Sequence, residues 1–154
     1  MAGKNYIDRF NEKRKQEITF SIWDILDESM SAYVPKKTKL GGLPNISFIQ
    51  RKPEPLGTEF KGGGCAVIRS CKRLEIQEGK IWMKSKQYYS ELGATAACTM
   101  RLAELGRCGE IGGIKGDSWF GSAKVADALG KRGMIAVLIV SVCTSLFYCN
   151  AKLP

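Results

Sequence analysis

Two short blocks hold the residues best suited to chemistry: Ile25-Leu26-Asp27-Glu28-Ser29-Met30 and Lys115-Gly116-Asp117-Ser118-Trp119-Phe120-Gly121-Ser122. Each sets an acidic residue at the end of a run of strand character, and a helix start follows the second at once. Asp27 and Asp117 stand 90 residues apart, so only the fold can bring them together. Two carboxylates meeting at sheet ends can hold magnesium, as in phosphoryl-transfer nucleases, because hard cations take oxygen ligands and magnesium commonly needs one or two protein carboxylates. Read singly, Asp27-Glu28 is also an ordinary polar strand end, and Asp117 an ordinary turn residue before a helix.

The composition narrows the alternatives. The 154 residues contain no histidine, which removes Ser-His-Asp and Cys-His catalysis and Cys₂His₂ zinc sites. Six cysteines, none in a Cys-x-x-Cys pair, and a charged amino terminus read as reduced thiols in an intracellular protein, packing as small apolar groups. With 44% hydrophobic residues the chain can bury a core. The net charge of +9 suits a polyanionic partner without demanding one. Lys36, Lys37, Lys39, Arg51, Lys52 and Lys61 could line a phosphate-binding surface or form a solvated loop, and Arg69, Lys72 and Arg73 extend that basic stretch. Gly106, Gly109, Gly112, Gly113 and Gly116 lack the patterns of a nucleotide loop.

The elements that must position these residues read in order. Residues 1–19 are a charged lead-in, helical or flexible. Ile18 to Tyr33 passes as strand or short helix, closed by Asp27 and Glu28. Asn45 to Gln50 is a short apolar run. Cys65–Ile68 and Leu74–Gln77 form a hairpin, with Gly62-Gly63-Gly64 a poor fit inside a strand. Tyr88 to Leu105 is a helix with Leu92, Ala96, Met100 and Ala103 on one face and Gly106 after it. Glu110 to Lys115 is a short strand. Ser122 caps a helix that ends at Gly130 or Gly133. Trp119 and Phe120 either wall the acidic site or anchor that helix in the core. Met134 to Val142 is a buried strand. Met134 to Ala151 carries no charge, and it reads as core strand plus loose tail rather than a membrane anchor. Strand, hairpin, helix, strand, helix, strand is the order of an α/β sheet with mixed strand directions.

From about Phe20 to Gly133 the chain resembles the catalytic domain of piggyBac-type transposases, the family that includes piggyBac transposable element-derived proteins. The resemblance rests on Trp23-Asp24-Ile25-Leu26-Asp27-Glu28-Ser29-Met30, on Arg51-Lys52-Pro53-Glu54-Pro55-Leu56-Gly57-Thr58-Glu59-Phe60-Lys61, on Leu74-Glu75-Ile76-Gln77-Glu78-Gly79-Lys80, on the helix ending Met100-Arg101-Leu102-Ala103-Glu104, and on Gly116-Asp117-Ser118-Trp119-Phe120-Gly121-Ser122. It implies a partial ribonuclease H-like fold over residues 20–142, a mixed sheet with flanking helices, followed by a divergent tail at 143–154. It implies DNA cleavage and strand transfer by a metal-dependent aspartate triad. Asp27 matches the first aspartate and Asp117 the second, and Mg²⁺ is the implied cofactor. DNA is the implied partner, met through the basic residues after Asp27, with a homodimer as in the family, no small-molecule substrate, no membrane and a nuclear location. The third aspartate has no counterpart, since nothing after Asp127 is acidic. The expectation is therefore a domain inactive by itself, with a non-catalytic DNA-binding module as the alternative.

Overall fold

The computed structural model describes residues 2–32, 45–103, 112–139 and 146–149. Twelve elements follow in chain order: α1 (Ala2–Glu17), β1 (Trp23–Ala32), β2 (Ile46–Phe48), β3 (Leu56–Cys65), β4 (Cys71–Ile76), α2 (Lys80–Lys84), α3 (Tyr89–Leu92), α4 (Ala94–Ala103), β5 (Gly113–Gly116), α5 (Ala123–Gly130), β6 (Ile135–Ile139) and β7 (Leu146–Cys149). All seven strands join one mixed sheet. Its order is β2-β3-β1-β5-β6-β7, and β4 also pairs with β3. β1 runs antiparallel to β3 and parallel to β5, and β5 runs parallel to β6. The architecture is thus a mixed sheet with flanking helices, as the sequence predicts.

β1 shows why this sheet has two different faces. Its burial alternates over Trp23–Glu28, with Asp24, Leu26 and Glu28 buried and Trp23, Ile25 and Asp27 exposed, the period of two that the pleat dictates. Leu26 meets Met100 and Leu102 of α4, Ile114 of β5, Val125 and Leu129 of α5 and Leu138 of β6 in one buried cluster. Phe120, fully buried, belongs to it, so this ring is a core anchor. The amphipathic α5 starts where Ser122 Oγ accepts the Val125 N–H at 3.2 Å, as expected of that cap.

Five expectations sharpen or change, and the first is the hairpin: Ala66, Val67 and Ile68 form the turn after β3 rather than part of its strand, which runs Leu56–Cys65. The charged lead-in is a helix docked along β4: Asn11 exchanges two hydrogen bonds with the Leu74 backbone, at 2.8 and 2.9 Å, and the Arg14 guanidinium donates to the Cys71 carbonyl at 2.9 Å. Gly62, Gly63 and Gly64 lie inside β3, because they pair with β1 on one side and β4 on the other. Ladders on both sides outweigh the entropic cost of glycine, which a shift of register between Gly63 and Gly64 records. The helix expected over Tyr88–Leu105 breaks at Gly93, whose φ of +80° favours glycine and divides α3 from α4. Leu146–Cys149, in the segment expected to be a loose tail, pairs antiparallel with β6. Among the described residues no helix is long and apolar enough to cross a membrane.

Candidate functional site

The parallel ladder between β1 and β5 places the two aspartates. Trp23 pairs with Gly113, Asp24 with Ile114, Ile25 with Lys115 and Leu26 with Gly116. Asp27, within β1, and Asp117, just past the end of β5, are the next residues, at the point where that ladder stops. Neighbouring strands lie about 4.8 Å apart, so the two backbones are adjacent there. Asp27 is exposed on the face of β1 opposite the core, and Asp117 is half-buried. Strand β1 does not end at Asp27. It continues to Ala32 along β3, and only its pairing with β5 ends there.

Each carboxylate is steered by a neighbouring backbone N–H. Glu28 N donates to Asp27 Oδ1 at 2.7 Å, and Trp119 N donates to Asp117 Oδ1 at 3.0 Å. The second oxygen of each takes no hydrogen bond among the described residues. On its other side Asp27 pairs with Gly62, which brings no side chain to the acidic strand ends. Lys115 stands exposed one residue before Gly116.

Behind the sheet lies a network the sequence reading does not anticipate. Glu28 is nearly fully buried on the core-facing side of β1. Lys61 Nζ donates to its Oε2 at 2.7 Å, Lys52 Nζ lies 3.3 Å from its Oε1, and the Arg51 guanidinium also pairs with it. Lys61 makes a second ion pair with Glu59 at 2.6 Å and sits 3.6 Å from the centre of the Trp119 ring. Lys61 is therefore no surface contact for DNA. Its side chain is fully buried and held by two carboxylates. Lys72 is likewise buried, donating to both oxygens of Asp24 at 2.9 and 2.8 Å. Arg51 is largely exposed and Lys52 partly so, both beside Glu28. Lys36, Lys37 and Lys39 lie outside the described residues.

No family model matches the sequence, and no curated protein matches it. Among solved structures, the chain is similar to a piggyBac transposase, seen by cryo-EM in a synaptic complex with hairpin DNA: the TM-score is 0.70 and the identity 16% over 88% of this chain. The fold is piggyBac-like. The chain spans 27% of the length of that transposase. The mixed sheet with its flanking helices is the partial ribonuclease H-like arrangement, and in this piggyBac-like frame Asp27 and Asp117 stand where the ladder between two neighbouring parallel strands stops.

Electrostatics shift three of the buried groups. Burial raises the Asp24 carboxyl above its ordinary range despite Lys72. Burial also pushes Glu75 upward, but the hydrogen bonds from Arg101, at 2.8 and 2.6 Å, and the charge of Lys86 outweigh it and hold that carboxyl below the usual range. Burial first, and then Glu75, pushes the Cys98 thiol up to about 12. Among the described residues no group of three or more His, Cys, Asp or Glu gathers into a metal-binding cluster. Asp27 and Asp117 each keep one carboxylate oxygen free of hydrogen bonds among the described residues, and oxygen is the donor that a hard cation such as magnesium takes.

Proposed function

We infer that this chain is a transposase-derived domain whose Asp27 and Asp117 hold a divalent cation, magnesium by donor chemistry, and whose partner is DNA. The observation that carries the reading is the β1–β5 ladder, which ends one residue before each aspartate. The likeness to a piggyBac transposase supports it at the level of fold. Magnesium bound there would polarise a phosphate oxygen and activate a hydroxyl nucleophile. The chain's own part is positional. Parallel strands fix the carboxylate spacing, and the Glu28 and Trp119 N–H groups each occupy one oxygen. The bare Gly62 leaves the flank of Asp27 open. Among the described residues no third acid joins these two, so a second ion would lack a ligand, and loss of a positioned charge in such a site costs several kcal/mol of transition-state stabilisation. The domain by itself is accordingly inactive in DNA cleavage. A homodimer and a nuclear location belong to the same proposal.

A Mn²⁺ titration of the purified chain, followed by the EPR signal of the free ion, tests the site. One ion should bind, and Asp117→Asn should abolish it; an unchanged signal for the unsubstituted chain sinks the proposal. Incubation of supercoiled plasmid with Mg²⁺ tests inactivity. Nicking that disappears with Asp27→Ala would show a working nuclease instead. A gel shift of duplex DNA across a salt series tests the partner, since phosphate contacts require affinity to fall as salt rises.

A further inference from the structure

One buried cation touches both segments that carry the acids. Lys61 on β3 holds the carboxylate of Glu28, the residue after Asp27, at 2.7 Å. The same ammonium lies over the ring of Trp119, two residues after Asp117, at 3.6 Å. Those two residues are the ones whose backbone N–H groups donate to Asp27 Oδ1 and Asp117 Oδ1. Lysine is seldom fully buried, because removing an ammonium from water is costly unless its partners are well placed. Here Glu28, Glu59 and the indole face supply them. An anion fixes the direction of one donor and a ring face that of another, so the ammonium sets the relative placement of Glu28 and Trp119.

We propose that Lys61 is the positioning residue of the Asp27–Asp117 pair: by gripping Glu28 and Trp119 together, it sets the two N–H groups that aim the two carboxylates. It touches neither acid and acts through the two residues beside them. The inference rests on the preceding reading only for what the acids hold; that Lys61 aligns them stands on geometry alone. The buried Asp24–Lys72 pair supplies an internal comparison. It lies on the same face of β1, nearer the other end, where Asp24 pairs with Ile114.

The test reads the alignment of positions 27 and 117 directly. Asp27→Cys with Asp117→Cys puts thiols on strands about 4.8 Å apart, within the span that a disulfide bridges. Mild oxidation and peptide mapping then measure how fast the two introduced thiols join. Lys61→Met with Glu28→Leu removes the two most buried charges together and leaves only the partly exposed Glu59 without its lysine, which preserves folding better than removing one. This double replacement should slow joining about tenfold, as loss of a charge-assisted or cation–π contact implies. Lys61→Arg, with Glu28 intact, should restore the rate. Lys72→Met with Asp24→Leu should leave it unchanged. Joining at full rate without Lys61 and Glu28, or equal slowing by the Asp24–Lys72 replacement, overturns the proposal. The Mn²⁺ titration with both aspartates intact separates the two readings. An absence of metal binding beside Lys61-dependent joining removes the cation and leaves the positioning role, whereas no joining even with Lys61 present removes both.

Discussion

Asp27 and Glu28 are consecutive in β1 and stand on opposite faces of the sheet: Asp27 is exposed, whereas the Glu28 side chain is 4% exposed and paired with Lys61. Two like residues therefore carry different duties. Asp27→Asn should leave stability within about 0.5 kcal/mol, as exposed substitutions do, while losing the ion in the Mn²⁺ titration. Glu28→Ala leaves the buried Lys61 with Glu59 alone and should cost about 3–5 kcal/mol. Urea unfolding of the two variants side by side checks the contrast.

Arg101 and Glu75 predict the acid limb of stability. The Glu75 carboxyl titrates below its ordinary 4.5 when folded. Between the folded and unfolded values the native state binds fewer protons, so stability rises with pH across that interval. The contribution is complete above about pH 4.5 and disappears as pH falls through the folded value. Glu75→Gln should flatten the fall in urea midpoint below that pH. Asp24, raised above 3.8, works with the opposite sign, and Asp24→Asn should remove a loss of stability that begins as pH rises past 3.8.

Gly57 is held by its neighbours' backbone. A Cβ there would lie 2.2 Å from the Ser31 carbonyl oxygen, in the ladder that pairs Ala32 with Gly57. Gly57→Ala should cost about 2–3 kcal/mol, as overpacking does when no side chain can yield. Gly79, just before α2, has open space around it, so Gly79→Ala should fall within about 0.5 kcal/mol of the parent. Thermal unfolding of both variants is the measurement.

Ser122 caps α5 through a single acceptor, its Oγ, on the Val125 N–H. Ser122→Ala should cost about 1 kcal/mol, and Ser122→Asp should keep most of the cap. Hydrogen exchange at Val125 should quicken in the alanine variant alone.

What was legible in the sequence follows from how local each signal is. The cap at Ser122 and the strand at Ile135–Ile139 are written in adjacent residues, and the structure contains both. The placement of Asp27 beside Asp117 is legible only in part: both blocks show strand character, but the ladder joining them depends on pairing across most of the chain. Lys61 and Lys72 illustrate what composition conceals. A charge can be counted, yet the face it occupies depends on partners distant in sequence, Glu28 and Asp24. Gly62, Gly63 and Gly64 mislead for the same reason, since two flanking ladders decide their conformation and propensity does not. Gly93 is the local feature that breaks the helix, whereas the spacing of Leu92, Ala96 and Met100 reads as one continuous face across it.

The alternation along β1 makes its alignment all-or-none. Slip that strand by one position against its neighbours and every side chain changes sides. Glu28 would then surface among the solvent-facing groups, and Asp27 would turn inward to meet Lys61. The charges on the inner side thus act as a ratchet: the same slip would set Trp23 where Asp24 meets Lys72, so the frame that pairs both interior cations is the one that leaves Asp27 facing outward.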